Sequence, residues 1–137
     1  MIRYPHTVQY YETDKMGITH HSNYIRWMEE ARVEFLKQIG WSFDSLEAQG
    51  IVSPVVEVSC KYKAPTVFAE TVTIDVFIKE FKGVKLVMGY RMWKPDGTLA
   101  CEGESAHCFQ DQSGRLLRLK KEFPAFDAAL KSLVEPE

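Results

Sequence analysis

Cysteine is scarce in this chain: Cys60, Cys101 and Cys108 are odd in number and form no CxxC pair. That argues against both a disulfide framework and a Cys-rich zinc site, and the three read as small buried residues. Long hydrophobic runs are missing too. No stretch approaches the ~20 apolar residues that span a bilayer, and the opening MIRYPHTVQYYETD has no cationic segment leading into an apolar one. The expected location is the cytoplasm. Neither sign of charge dominates, with 17 basic against 19 acidic residues and a formal net charge of −2. A whole-surface basic footprint for nucleic acid or anionic lipid is thereby excluded. Glycine-rich phosphate loops, a GxSxG elbow and HExxH spacing are all absent, so nucleotide, serine-elbow and zinc-peptidase chemistry lack support; no metal and no cofactor is expected.

What remains is 137 residues with 45% hydrophobic and 26% charged content, enough for one domain, 1–137, with one core. A first strand is expected over about Arg3 to Tyr10. Tyr24, Met28, Ala31, Phe35 and Ile39 then recur at helical spacing, with Arg26, Glu30, Glu34 and Lys37 opposite, which predicts a helix of about five turns. Ser22 or Asn23 is expected to cap it and Gly40 to end it. From Val55 the period becomes two, with Val56, Val58, Cys60 and Tyr62 on an expected buried face. Further strands are read over Thr71 to Ile78, Lys85 to Met92 and Thr98 to Phe109, with a short one from Leu116 to Leu119. A last helix is read from Pro124 to Val134. Short turns between strands favour antiparallel pairing. The order predicts an α+β fold in which a sheet packs on one long central helix.

The candidate site lies in "YETDKMGITHHSNYIRWMEEAR". Asp14 has two readings. It can be an Asx-turn residue, its side chain bonded to the amides of "TDKMG". It can also be an ionised nucleophile or general base beside a helix start whose first amides are unpaired and carry about half a positive charge. Gly17 lets the chain turn. His20 and His21 are adjacent, their side chains are expected to diverge, and His21 ranks above His20 because it lies nearer the helix. Glu29, Glu30 and Glu34 read as solvated charges, with Arg26 one turn before Glu30. His107 reads as a structural histidine on a strand.

"YYETDKMGITHHSNYIRWMEEARVEFL", with T-D-x-M-G, then His, Ser-Asn-Tyr and E-E-A-R, resembles the signature of the 4-hydroxybenzoyl-CoA thioesterase branch of the hotdog-fold superfamily. The similarity runs through the strand pattern to about Phe123. It implies one long helix wrapped by an antiparallel sheet, and homodimers joined edge to edge, often paired into a homotetramer, with acyl-CoA at the subunit interface. By position it assigns catalysis to Asp14 and to His21, whose backbone N–H polarises the thioester carbonyl. It assigns substrate binding to Gly17, Asn23, Tyr24, Lys82 and Lys85. His21 also matches a histidine of the similar Tol-Pal-associated acyl-CoA thioesterases, while His20 stands where many of those have tyrosine. The expected activity is hydrolysis of an acyl-CoA thioester. A hotdog enoyl-CoA hydratase or dehydratase, and a non-catalytic acyl-CoA-binding module, are the alternatives.

Overall fold

The computed structural model describes residues 1–135. Strand β1 (Ile2–Thr7) is followed by a 3₁₀ turn (Tyr10–Glu12), the long helix α1 (Ser22–Gln38) and a short helix α2 (Phe43–Ala48). Four strands come next: β2 (Val55–Tyr62), β3 (Thr71–Phe81), β4 (Leu86–Trp93) and β5 (Leu99–His107). The chain then forms α3 (Leu119–Glu122) and α4 (Pro124–Ser132). The five strands make one antiparallel sheet in the order β1-β3-β4-β5-β2. One helix against one face of that sheet is the layout the resemblance implies.

The core forms where the helical stripe meets the inward positions of the central strands. Trp27, Met28, Ala31, Phe35 and Leu36 of α1 share one cluster with Val72, Ile74, Val76 and Ile78 of β3 and Met88, Tyr90 and Met92 of β4. Phe35 is 2% exposed, so truncation to alanine would cost about 3–5 kcal/mol. At the far end of the helix Phe126 of α4 packs against Trp41 in a tilted contact and meets Phe109 edge to face, at centroid distances of 4.7 and 5.4 Å. No helix among the described residues is long and apolar enough to cross a membrane.

Several sequence expectations need correcting. The expected buried face of β2 is exposed: Val56 is 57%, Val58 39% and Tyr62 49% accessible. Among the described residues β2 is an edge strand bonded to β5 alone, and α1 lies chiefly over β3 and β1, so little covers β2. The first strand stops at Thr7 because the Gln9 N–H is drawn to the Glu12 carboxylate, closing the 3₁₀ turn. The expected strand at Leu116 is a single bridge to Gln110, after which Glu122 accepts the Arg118 N–H and the chain turns into α3. Helix α2 escapes a periodicity test because six residues span less than two turns. Of the cysteines, Cys101 is buried while Cys60 and Cys108 are half-buried; all three are free thiols.

Candidate active site

The turn carrying Asp14 is a small hairpin. Asp14 N–H donates to Ile18 O at 2.8 Å, Gly17 N–H to Asp14 O at 2.9 Å and His20 N–H to Glu12 O at 2.8 Å, with a bridge between Thr13 and Thr19. Gly17 closes it at φ +79°, a left-handed conformation that costs glycine little. Asp14 Oδ1 accepts the Met16 N–H at 2.8 Å, so the Asx-turn is present. Among the described residues no donor reaches its other oxygen, and the side chain is half-buried. The two readings of Asp14 are therefore compatible. One oxygen orients the carboxylate, and the other is available.

The hairpin delivers the chain to the head of α1. His21 is the N-cap at φ −56°, and neither Ser22 nor Asn23 caps the helix. The Ser22 hydroxyl lies 2.9 Å from His20 Nδ1, and Asn23 Nδ2 donates backwards to Glu12 O at 2.9 Å. The next amides are served locally: Ser22 N–H reaches His20 Nδ1, Asn23 N–H reaches His20 O and Tyr24 N–H reaches His21 O. Among the described residues the His21 N–H has no acceptor. It sits where the helix carries its partial positive charge, without a side-chain cap to occupy that position. The His20 and His21 rings do not diverge as expected. Their centroids are 4.3 Å apart, because Ser22 holds His20 Nδ1 while His21 already has helical backbone angles. Tyr62, from β2, brings its hydroxyl to His21 O at 3.4 Å.

Behind this surface lies a buried polar layer. Glu12, 5% exposed, accepts from Gln9 N–H (2.8 Å), His6 Nε2 (2.9 Å) and Trp27 Nε1 (2.8 Å). Burial pulls its carboxyl pKa up, but these donors outweigh that and hold it below the ordinary range. Thr19 and Thr66 share a hydroxyl contact of 2.6 Å, and the Tyr24 hydroxyl lies 3.0 Å from Thr66 Oγ1. Tyr24 is 4% exposed, and its burial pushes the phenol pKa up. It stands behind the turn, closed off from solvent. Sequence reasoning missed Glu12, Thr19 and Thr66. Glu12 looks like a surface charge within "YYETD", and only Trp27, fifteen residues on, gives it a buried setting.

The remaining assigned residues lie elsewhere in the protomer. Thr7 pairs with Thr71, so the hairpin leaves from the start of β3, whereas Lys82 and Lys85 follow its end. Eleven strand residues at about 3.3 Å each separate the two sites. Both lysines are exposed, and Lys82 pairs with Glu80 at 3.3 Å. Within one chain Asp14, Gly17, His21 and Asn23 come together, and the two lysines do not join them. His107 is fully buried, its Nε2 2.7 Å from the Ser105 hydroxyl, which in turn lies 2.7 Å from Tyr90 Oη. Burial, assisted by the Arg32 charge, pushes its pKa down to about 3, so the imidazole is neutral and structural. Glu29 pairs with the buried Arg32 at 2.7 Å and Glu30 accepts the Tyr4 hydroxyl at 3.0 Å, so these two glutamates are engaged rather than merely solvated.

A family profile described as the thioesterase-like superfamily matches residues 8–133. YneP of Bacillus subtilis strain 168, named as a candidate acyl-CoA thioesterase, is 37% identical over 123 residues, 89% of each chain. The acyl-CoA thioester hydrolase YbgC of Escherichia coli O157:H7 is 30% identical over 104 residues, 76% of this chain and 78% of that one. Among solved structures, a DHNA-CoA thioesterase from Staphylococcus aureus superposes with a TM-score of 0.90 at 29% identity, covering 95% of this chain and 88% of the other.

Proposed function

The chain belongs to the thioesterase-like superfamily and is a thioester hydrolase, and on that premise we propose that it cleaves an acyl-CoA to a free acid and CoA using Asp14 and the backbone N–H of His21. The observation that carries this reading is the pairing of an open carboxylate oxygen with an unbonded helix-terminal amide, joined by one short hairpin. A thioester needs little more. An alkyl thiol of pKa about 8.5 leaves as thiolate without much help from an acid, so a positioned carboxylate and an oxyanion donor are sufficient. Asp14 either attacks the carbonyl carbon, forming an anhydride that water opens, or takes a proton from the attacking water. The His21 N–H bonds the oxygen that becomes negative in either case.

Gly17 serves binding by closing the turn that presents Asp14, and Asn23 by holding the helix head to the Glu12 and His20 carbonyls. Tyr24 serves it from behind, through Thr66 and Thr19. Lys82 and Lys85 can meet the phosphates of a CoA bound at Asp14 only from another protomer. The uncovered β2 edge, with Val56, Val58 and Tyr62 exposed, supports such a second copy, since an open strand edge invites pairing. Dimer or tetramer, the site then lies at a subunit boundary.

The test is thiol release from aliphatic and aromatic acyl-CoAs, with enoyl-CoA hydration followed in parallel. Thiol release establishes the hydrolase, and the best acyl group names the substrate class. Hydration without CoA release would favour the hydratase, and tight binding without turnover would favour the binding module. Single-turnover hydrolysis in ¹⁸O-water separates the two roles of Asp14: label entering its carboxylate marks nucleophilic attack.

A further inference from the structure

Two residues before Asp14, Glu12 is bonded on every side. Its carbonyl accepts His20 N–H and Asn23 Nδ2, at 2.8 and 2.9 Å. Its carboxylate gathers His6 of β1, Gln9 at the N-cap of the 3₁₀ turn and Trp27 of α1, and the His6 ring lies 4.5 Å from the Trp27 ring. Among the described residues, no other member of the hairpin ties the turn to both the sheet and the helix.

We propose that Glu12 is the positioning residue of the active site, holding the Asp14 carboxylate in register with the His21 N–H. The proposal rests on the assignment of Asp14 and His21 given above. The carbonyl of Glu12 fixes where the hairpin closes, and its carboxylate fixes the head of α1 against that hairpin. Glu12 touches no reacting atom. Its effect passes through geometry, and displacing a reacting group by about 1 Å can cost about 10²-fold in rate.

Chemistry makes the carboxylate hard to replace. Oε1 accepts two N–H groups and Oε2 a third, so all three partners are donors. Glutamine has the same shape but must turn an NH₂ toward one of them. Its backbone bonds to His20 and Asn23 stay available, while the link to Trp27 or to Gln9 and His6 is lost. His6 offers a gentler probe, since it supplies one donor from the edge of the cluster and glutamine there can supply a donor too.

The experiment measures kcat and KM with the best acyl-CoA for wild type, Glu12→Gln, His6→Leu, His6→Gln and Asp14→Asn, each checked for folding by circular dichroism. Positioning predicts that Glu12→Gln lowers kcat about 10- to 100-fold with KM within about twofold. It predicts that His6→Leu lowers kcat several-fold and that His6→Gln restores most of it. A folded Glu12→Gln with normal kcat, or a lowered melting temperature alone, would overturn the proposal. If Glu12→Gln does not fold, the His6 pair decides, and equal kcat in both overturns it. Asp14→Asn keeps the two claims apart. Turnover retained in that variant removes the Asp14 assignment and this proposal together, whereas turnover lost there but normal in Glu12→Gln and His6→Leu removes the Glu12 proposal alone.

Discussion

Two buried polar clusters lie beside α1, and they differ in how completely their bonds are made. In the first, under the Asp14 hairpin, the Glu12 carboxylate has three donors, and Thr19, Thr66 and Tyr24 close on one another. In the second, Tyr90, Ser105 and His107 form a chain of 2.7 Å contacts, yet His107 Nδ1 and Arg32 Nε are buried without a partner among the described residues. In the proposed mechanism the first cluster surrounds the reacting groups, whereas the second fills the interior. Full bonding fixes a single geometry, whereas an incomplete network leaves a desolvation cost standing. Damage to the first should therefore appear in kcat, and damage to the second in stability.

The largest effect that sharpens this contrast comes from the helix head. The φ of −56° at His21 suits proline, which would delete the N–H while keeping the backbone shape. His21→Pro is expected to lose about 10²- to 10³-fold in kcat, the usual cost of one oxyanion donor, while His21→Ala retains the amide and most of the rate. Steady-state kinetics on both checks this, and equal losses would move the role to the imidazole. In the second cluster, Ser105→Ala strands Tyr90 Oη and His107 Nε2 together. Its unfolding free energy in urea is expected to fall by about 1–3 kcal/mol, with kcat unchanged.

Acid separates the clusters as well. His107 has a folded pKa of about 3, below its unfolded value, so the unfolded chain takes up the proton first and stability declines as pH falls from about 6.5 toward 3. Glu12 is held below its unfolded value of about 4.3, so its contribution is intact above that pH and is lost as the pH drops further through the folded pKa. Urea midpoints at pH 7, 5 and 3.5 are expected to show His107→Gln flattening the acid limb throughout, and Glu12→Gln flattening only its lowest part. The smallest effect is at the turn itself. Gly17→Ala meets no atom, but its φ of +79° disfavours a side chain, so about 1 kcal/mol of stability is expected to be lost.

The sequence made the fold legible wherever one surface decided the pattern. Helix α1 buries one stripe at helical spacing, and the alternate residues Val72, Ile74, Val76 and Ile78 of β3 and Leu86, Met88, Tyr90 and Met92 of β4 all lie in the core, although β4 and β5 bury neighbouring positions as well. β2 misled because alternation shows which residues share a face and is silent on whether anything covers it. That Asp14, Gly17 and His21 lie together was legible from local order, because hairpin and helix head are contiguous in the chain. The place of Glu12 was not, since the ring that buries it comes from the second turn of α1 and the imidazole that bonds it comes from β1. Lys82 and Lys85 were assigned by resemblance, and the length of β3 sets them apart from Asp14 within the protomer.

The most direct measurement is thiol release by Asp14→Asn under single-turnover conditions, with circular dichroism confirming the fold. Asparagine keeps the Asx-turn acceptor for Met16 N–H and removes the charge, so the turn should survive while the chemistry does not. A fall of about 10²- to 10⁴-fold is expected if the carboxylate supplies base or nucleophile. Release within about threefold of wild type would contradict the account and place the reaction on another group.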